Sequence, residues 1–312
     1  MRIVLPGALP EPGQARELTS YLQKNAPTLL GWMQRARARS ITADPAVSGC
    51  TPYEQWQLTA CGFRPDAGQK LSAGLGPLWL RKNATPNEPV WLLELVHVAP
   101  SRDGAALLPA SELAITPEQS VALFESVQAL FSEAGFVLHA DSAERWRLTL
   151  PPGFAPESAS PALVGMTSVN DWWPQDMSAR PWRRLVNEVQ MLWFDHPVNQ
   201  QRYQQNRMPI NSLWLFGGAS GRQLAQRLPL GDTQVDDSLL GPSIRQDWGA
   251  WLAALNELEG RLFRPLADKA QPELVLTGRE RIVELRPPAL GNLGRWLPGS
   301  RNTWRNWWSP QS

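Results

Sequence analysis

His196, Asn199, Arg202 and Asn211 place an imidazole, two carboxamides and a guanidinium in one short run, DHPVNQQRYQQNRMPINSLWLFGG, which closes on Gly217 and Gly218. These side-chain types recognise anions. Arg presents a planar fork of donors that meets phosphate or carboxylate bidentately, and His and Asn add polar contacts around it. Gly217-Gly218-Ala219-Ser220-Gly221 adds backbone amides that can form an anion nest. The chemistry suggested is the binding of a phosphorylated or carboxylate small molecule. Plainer readings stand beside it. His196 precedes Pro197, where its ring caps or packs a helix junction, and GGASG reads as a strand-exit loop. The glycines are not a Walker A loop, since no Lys-Ser/Thr follows, and the chain has no G-x-S-x-G elbow.

Metal-assisted chemistry needs more than this run offers. Two cations held about 4 Å apart require a set of Asp and His ligands. The chain has three histidines, His97, His139 and His196, and none follows Phe216. Cys50 and Cys61 lack CxxC spacing and read as free, partly buried thiols rather than a disulfide or zinc site. Neither a metal nor a cofactor is expected.

The chain of 312 residues is long enough for two domains or one large domain with an insertion. Net charge is +1, and the basic residues are dispersed, which excludes the electrostatic footprint of nucleic-acid binding. No apolar run reaches the roughly 18–20 residues that span a bilayer. The start, Met1-Arg2-Ile3-Val4-Leu5, meets Pro6-Gly7 at once and reads as a first strand rather than a signal peptide, so a cytoplasmic location is expected. Sixteen tryptophans are scattered without a fixed period and read as core and interface side chains. At the end of the chain, Trp304, Trp307 and Trp308 alternate with basic and polar residues. That tail either binds a protein partner, touches a membrane surface or folds back onto its own domain; the abundance of Trp elsewhere favours folding back.

The elements that must position the anion-binding run follow from periodicity. Trp182, Leu185, Val186, Val189, Leu192 and Trp193 share one face of an amphipathic helix, and Ile210 to Phe216 reads as a buried strand. Upstream, residues 14–39 read as helix interrupted at Pro27. Thr51-Pro52 opens a helix that closes at Gly62, and 66–77 reads as loop. Val90 to Val98 is a strand. Thr116-Pro117-Glu118-Gln119 caps a helix ending at Gly135, and two strands follow, so 90–150 reads as β-α-β-β. Asp247 to Phe263 reads as helix, with strands at Glu273 to Leu276 and Arg281 to Leu285.

The run from Asp195 to Gly217 resembles the archaeal-type cofactor-independent phosphoglycerate mutases of the alkaline phosphatase superfamily. The residues that carry the likeness are Asp195, His196, Pro197, Val198, Asn199, Arg202, Pro209, Asn211, Leu213, Trp214 and Gly217. The stretch NEVQML through HPVN to NSLWL is similar, almost residue for residue, to bacterial proteins described as RpfE-type regulatory proteins. The β-α-β-β unit resembles the domain that precedes this motif in the mutases, and Cys61-Gly62-Phe63-Arg64-Pro65 resembles the stretch after their nucleophile helix.

The resemblance implies an α/β fold: a degenerate alkaline-phosphatase-like core with an inserted α+β (β-α-β-β) unit. The expected division is 1–83 as the first part of the core and 84–160 as the insertion. It continues with 161–298, carrying helix 181–206 and the rest of the core, and 299–312 as the Trp-rich tail. In that superfamily an Asp ligand follows the first strand directly. Here Leu5 runs into Pro6-Gly7-Ala8-Leu9, and the position resembling the nucleophile falls near Tyr53. The expectation is a non-catalytic phosphoglycerate-mutase-like protein, a pseudoenzyme with a regulatory or anion-sensing role. The alternatives are a residual metal-dependent mutase or phosphatase, and a scaffold that binds a partner through its Trp tail.

Overall fold

The computed structural model describes residues 1–81, 85–102, 104–288 and 304–310. Local sequence signals start most of the helices. In chain order the elements are β1 Arg2–Leu5, α1 Pro12–Asn25, α2 Pro27–Arg35, β2 Arg37–Thr42, α3 Pro45–Ser48, α4 Pro52–Ala60 and α5 Leu75–Trp79. They continue with β3 Pro89–Ser101, β4 Gly104–Leu108, α6 Pro117–Glu133, β5 Val137–Ala140, β6 Arg145–Thr149, α7 Pro161–Met166 and α8 Val169–Trp172. Then come α9 Arg180–Phe194, α10 Pro197–Gln204, β7 Ser212–Ser220, β8 Thr233–Val235, α11 Leu240–Ile244, α12 Trp248–Leu258, β9 Glu273–Thr277, β10 Arg281–Arg286 and α13 Trp304–Trp308. Proline at the first helical position, where its missing N–H is no loss, opens α4 and α6. Each of these two also carries a full capping box, Thr51 with Glu54 and Thr116 with Gln119.

The elements gather into two compact units, 1–44 with 229–312, and 45–228. The first holds a sheet of order β2-β10-β9-β1-β8, in which β1 runs parallel to β8 and β9 while β10 is antiparallel to β9 and β2. One face of it, Ile3, Leu5, Leu274, Leu276, Val283 and Leu285, packs on Leu18, Leu22, Trp32, Trp251 and Leu255 of the helices. The second unit is built around β3, which pairs antiparallel with β7, β6 and β4, with β5 beyond β6. Its core joins Leu93, Leu95 and Trp146 of the sheet to Leu123, Val127 and Phe131 of α6 and to Trp182, Val186, Val189 and Trp193 of α9.

The chain is therefore mixed α/β with two sheets, and several local expectations need correction. The helix expected to Arg39 ends at Arg35, and 37–42 forms the edge strand β2 against β10. The expected loop at 66–77 is helical from Leu71, because Leu75 and Leu78 are buried. The strand expected in the same core as Ile3 to Leu5 pairs instead with β3: Leu93 lies opposite Leu215 and Leu95 opposite Leu213. Of the apolar α9 residues, Leu192 points outward, 45% exposed. The expected divisions at 83/84 and 298/299 lie outside the described residues; 160/161 falls at the Ser160 cap of α7.

Candidate functional site

The α9–α10 corner gathers His196, Asn199 and Arg202. His196 is the N-cap of α10, and its Nδ1 accepts the Val198 N–H at 3.2 Å, which fixes that nitrogen as the unprotonated one. Burial lowers the imidazole pKa, consistent with a neutral ring. Asn199 is buried and bridges two elements: its Nδ2 donates to Trp193 O and Ile210 O, both at 2.8 Å, and its Oδ1 accepts Ile210 N–H at 2.8 Å. Arg202 is 1% exposed. Its Nε donates to Met208 O at 2.7 Å, one terminal nitrogen to Gln119 Oε1 at 2.8 Å and the other to Leu113 O at 2.6 Å. A guanidinium is always charged and must be fully hydrogen-bonded when buried. Here its partners are backbone carbonyls and an amide, so it ties α10 to α6 and to the loop before β7.

Asn211 continues the β3–β7 ladder with its side chain: Oδ1 accepts Val98 N–H at 2.7 Å and Nδ2 donates to Val98 O at 2.8 Å. Gly217 and Gly218 lie inside β7 rather than in an exit loop, since the strand continues to Ser220. Between position 211 and position 217 runs roughly 20 Å of strand. His196, Asn199 and Arg202 belong to the α10 corner, Asn211 stands just before β7, and Gly217 and Gly218 lie further along that strand, so the six are spread over two elements. Both glycines have positive φ, +102° and +110°. A Cβ on Gly217 would sit 2.5 Å from Val90 O and 3.0 Å from Gly76 Cα, and one on Gly218 would strike the Trp91 ring. Gly217→Ala is expected to cost about 2 kcal/mol, because the backbone and the close contact resist together. A urea midpoint equal to the parent's would refute this.

The other titratable groups are also held by structure. His97 Nδ1 lies 3.0 Å from Pro209 O, and burial lowers its pKa. His139 Nε2 pairs with Thr149 Oγ1 on the neighbouring strand. Among the described residues no group of three or more His, Cys, Asp or Glu side chains is arranged to hold a metal ion. Both cysteines are free and buried. Burial pushes the Cys50 thiol up, and the nearby Glu54 pushes it further.

Sequence reasoning missed a polar interior in the second unit. Glu94 sits in the middle of β3, 2% exposed; its Oε2 accepts Arg145 Nε at 2.7 Å and its Oε1 accepts Ala110 N–H at 3.1 Å. The same guanidinium lies 4.6 Å over the Trp79 ring, a cation–π contact. Glu54 is 3% exposed and accepts Thr51 N–H at 2.7 Å and Ser160 Oγ–H at 2.6 Å on one oxygen. Its other oxygen has no partner among the described residues. The Thr51-x-x-Glu54 spacing was the readable signal for half of this arrangement.

Burial raises the Glu54 pKa against the opposing hydrogen bonds of Ser160 and Thr51, and Glu94 adds to the rise. The folded protein then holds this proton more tightly than the unfolded chain. Stability is expected to fall as pH rises above the ordinary glutamate value, since the unfolded state ionises first. Glu54→Gln should give a shallower fall as pH rises above the ordinary glutamate value, and a higher urea midpoint than the parent at alkaline pH. A midpoint difference between the two proteins that does not change with pH would contradict it.

The Trp tail packs into the first unit. Trp304 and Trp308 are buried at 4% and 2%, and Trp307 packs beside them. Trp308 Nε1 donates to Ala15 O at 2.8 Å, and Arg281 donates to the carbonyls of Trp307 and Trp308. The expected use of Trp304, Trp307 and Trp308 on a protein partner is corrected accordingly: the rings of Trp304 and Trp308 are core. No helix among the described residues is long and apolar enough to cross a membrane.

By its sheets and connections this is a mixed α/β protein. At the level of fold it is similar to a cofactor-independent phosphoglycerate mutase from Thermoplasma acidophilum DSM 1728, with 12% identity over 92% of this chain and 90% of that one, at a TM-score of 0.35. It is also similar to the PH0037 protein from Pyrococcus horikoshii, with 13% identity over 91% and 86% of the two chains, at a TM-score of 0.46. No family model and no curated protein matches the sequence.

Proposed function

We propose that this chain is a non-catalytic protein of phosphoglycerate-mutase-like ancestry that acts by binding, in a regulatory or ligand-sensing role. The observation that carries this reading is the filled exit of β1. In open α/β sheets, ligands lie outside the carboxyl ends of the parallel strands. Here Leu5, Ala8 and Leu9 are buried at that end. Gly7 O accepts the Trp251 indole N–H at 2.9 Å, and Leu9 N–H donates to Thr277 O at 3.1 Å at the end of β9. A Cβ on Gly7 would lie 2.7 Å from Leu240 Cα, so the turn is closed against backbone. Asp236, which follows β8, is held by Ser238 and Arg261. Apolar packing and an internal ion pair stand where reacting groups would need open space.

The test is to titrate the purified protein with Mn²⁺ and Zn²⁺ by calorimetry and to assay each mixture with 3-phosphoglycerate. The expected result is no stoichiometric binding and no mutase or phosphatase turnover. One equivalent or more of bound metal together with turnover would sink the reading.

A further inference from the structure

The second unit carries a cleft whose walls are tryptophan. Trp172, Trp173, Trp182 and Trp214 line it, with Glu157 and Ser158 as its polar members. It is shallow and open to solvent along its mouth rather than an enclosed cavity. A ligand here would rest on the exposed indole faces rather than be buried whole. Trp214 is fixed from behind by its Nε1 donating to Ala159 O at 2.9 Å, and Trp172 by its Nε1 donating to Thr167 Oγ1 at 3.0 Å. The Trp173 and Trp214 rings meet at 5.8 Å, tilted by 42°. Ser158 Oγ is buried and has no hydrogen-bond partner among the described residues.

The electrostatics of the cleft select the charge of its ligand. Indole faces carry negative potential and attract cations, most strongly those with little hydration to lose. The only ionised side chain in the lining is the Glu157 carboxylate, 72% exposed at the rim. One cation already uses this chemistry: Lys70 Nζ stands 5.4 Å from the Trp172 ring centre and 3.2 Å from Glu157 Oε2. An anion would meet indole faces and a carboxylate. A sugar would find two polar side chains, too few to satisfy its hydroxyls.

We propose that this cleft binds a methylated ammonium group, with the Trp172 and Trp173 faces as its walls, Glu157 as its counter-charge and Lys70 as the resident ammonium it displaces. Free choline, a trimethyllysine side chain and a phosphatidylcholine headgroup all present this group. The site stands whether or not the chain has catalytic activity.

The experiment is calorimetric titration of the full chain in three arms: choline chloride, a trimethyllysine peptide and phosphatidylcholine vesicles. Binding is expected in at least one arm, which names the source. In that arm Trp172→Ala should weaken it roughly tenfold, Glu157→Gln should weaken it less, and Lys70→Ala should tighten it by removing the competing ammonium. Should Trp172→Ala fail to fold, Trp172→Phe and Lys70→Ala decide the matter. 3,3-Dimethylbutanol, the neutral isostere of choline, should not bind. Equal binding of the neutral isostere, unchanged or weaker binding in Lys70→Ala, or no heat in any arm would overturn the proposal.

Discussion

Replacing Trp308 with Ala is expected to cost about 3–5 kcal/mol, the usual range for emptying a buried aromatic site. The side chain is 2% exposed and packs among Ala15, Leu18, Trp304 and Trp307. The cost has two parts. Burial of the indole is lost, and a cavity opens in a core that cannot fully close, because β10 and α1 are fixed by their own ladders and helix bonds. Ala15 O and Thr19 Oγ1 also lose the indole N–H as donor. A fall in the thermal midpoint on the order of ten degrees follows, read by circular dichroism. An unchanged midpoint together with loss of a bound protein would restore the tail as a docking peptide.

Arg202→Met should be nearly as damaging, at about 3–5 kcal/mol. Methionine fills much of the volume but leaves Met208 O and Leu113 O without their donor, while Gln119 Oε1 keeps the Thr116 N–H. Each buried acceptor stranded in this way costs about 1–3 kcal/mol. Lysine would restore the charge but not the three-way fork. The expected signature is a lower urea midpoint with an unchanged slope, in the absence of any ligand. Inorganic phosphate should protect parent and variant alike, through nothing more than ionic strength. If Arg202 were instead an anion ligand, the variant would unfold at the parent's midpoint and lose only a phosphate-induced gain.

What could be read in advance divides by range. The caps at Thr51 and Thr116, the stop at Gly62 and the buried stripe Trp182-Leu185-Val186-Val189-Trp193 are written within one or two helical turns, and the structure repeats them. Strand partners are not written locally. Ser212 to Ser220 is apolar enough to suit either sheet, and only the match of its residues to β3 decides. Arg37 to Arg39 reads as the solvated end of a helix until β10, some 240 residues later, offers that stretch an antiparallel partner. The same blindness affected the anion pocket. Asn199 and Arg202 have the right chemistry for a ligand, but the carbonyls that take up their donors include those of Leu113, Met208 and Ile210, which spacing along one helix cannot reveal.

The order of strands in the first sheet also sets a timetable for synthesis. β1 is made long before its neighbours β8 and β9, which begin at Thr233 and Glu273. At 5–20 residues per second, a ribosome needs on the order of 10–50 s to reach them. Through that interval Ile3, Val4 and Leu5 have no sheet to join, while residues 45–228 already contain every strand of the second sheet. The second unit can therefore fold while the chain is still being made, and the first closes later, around a strand that chaperones have time to meet.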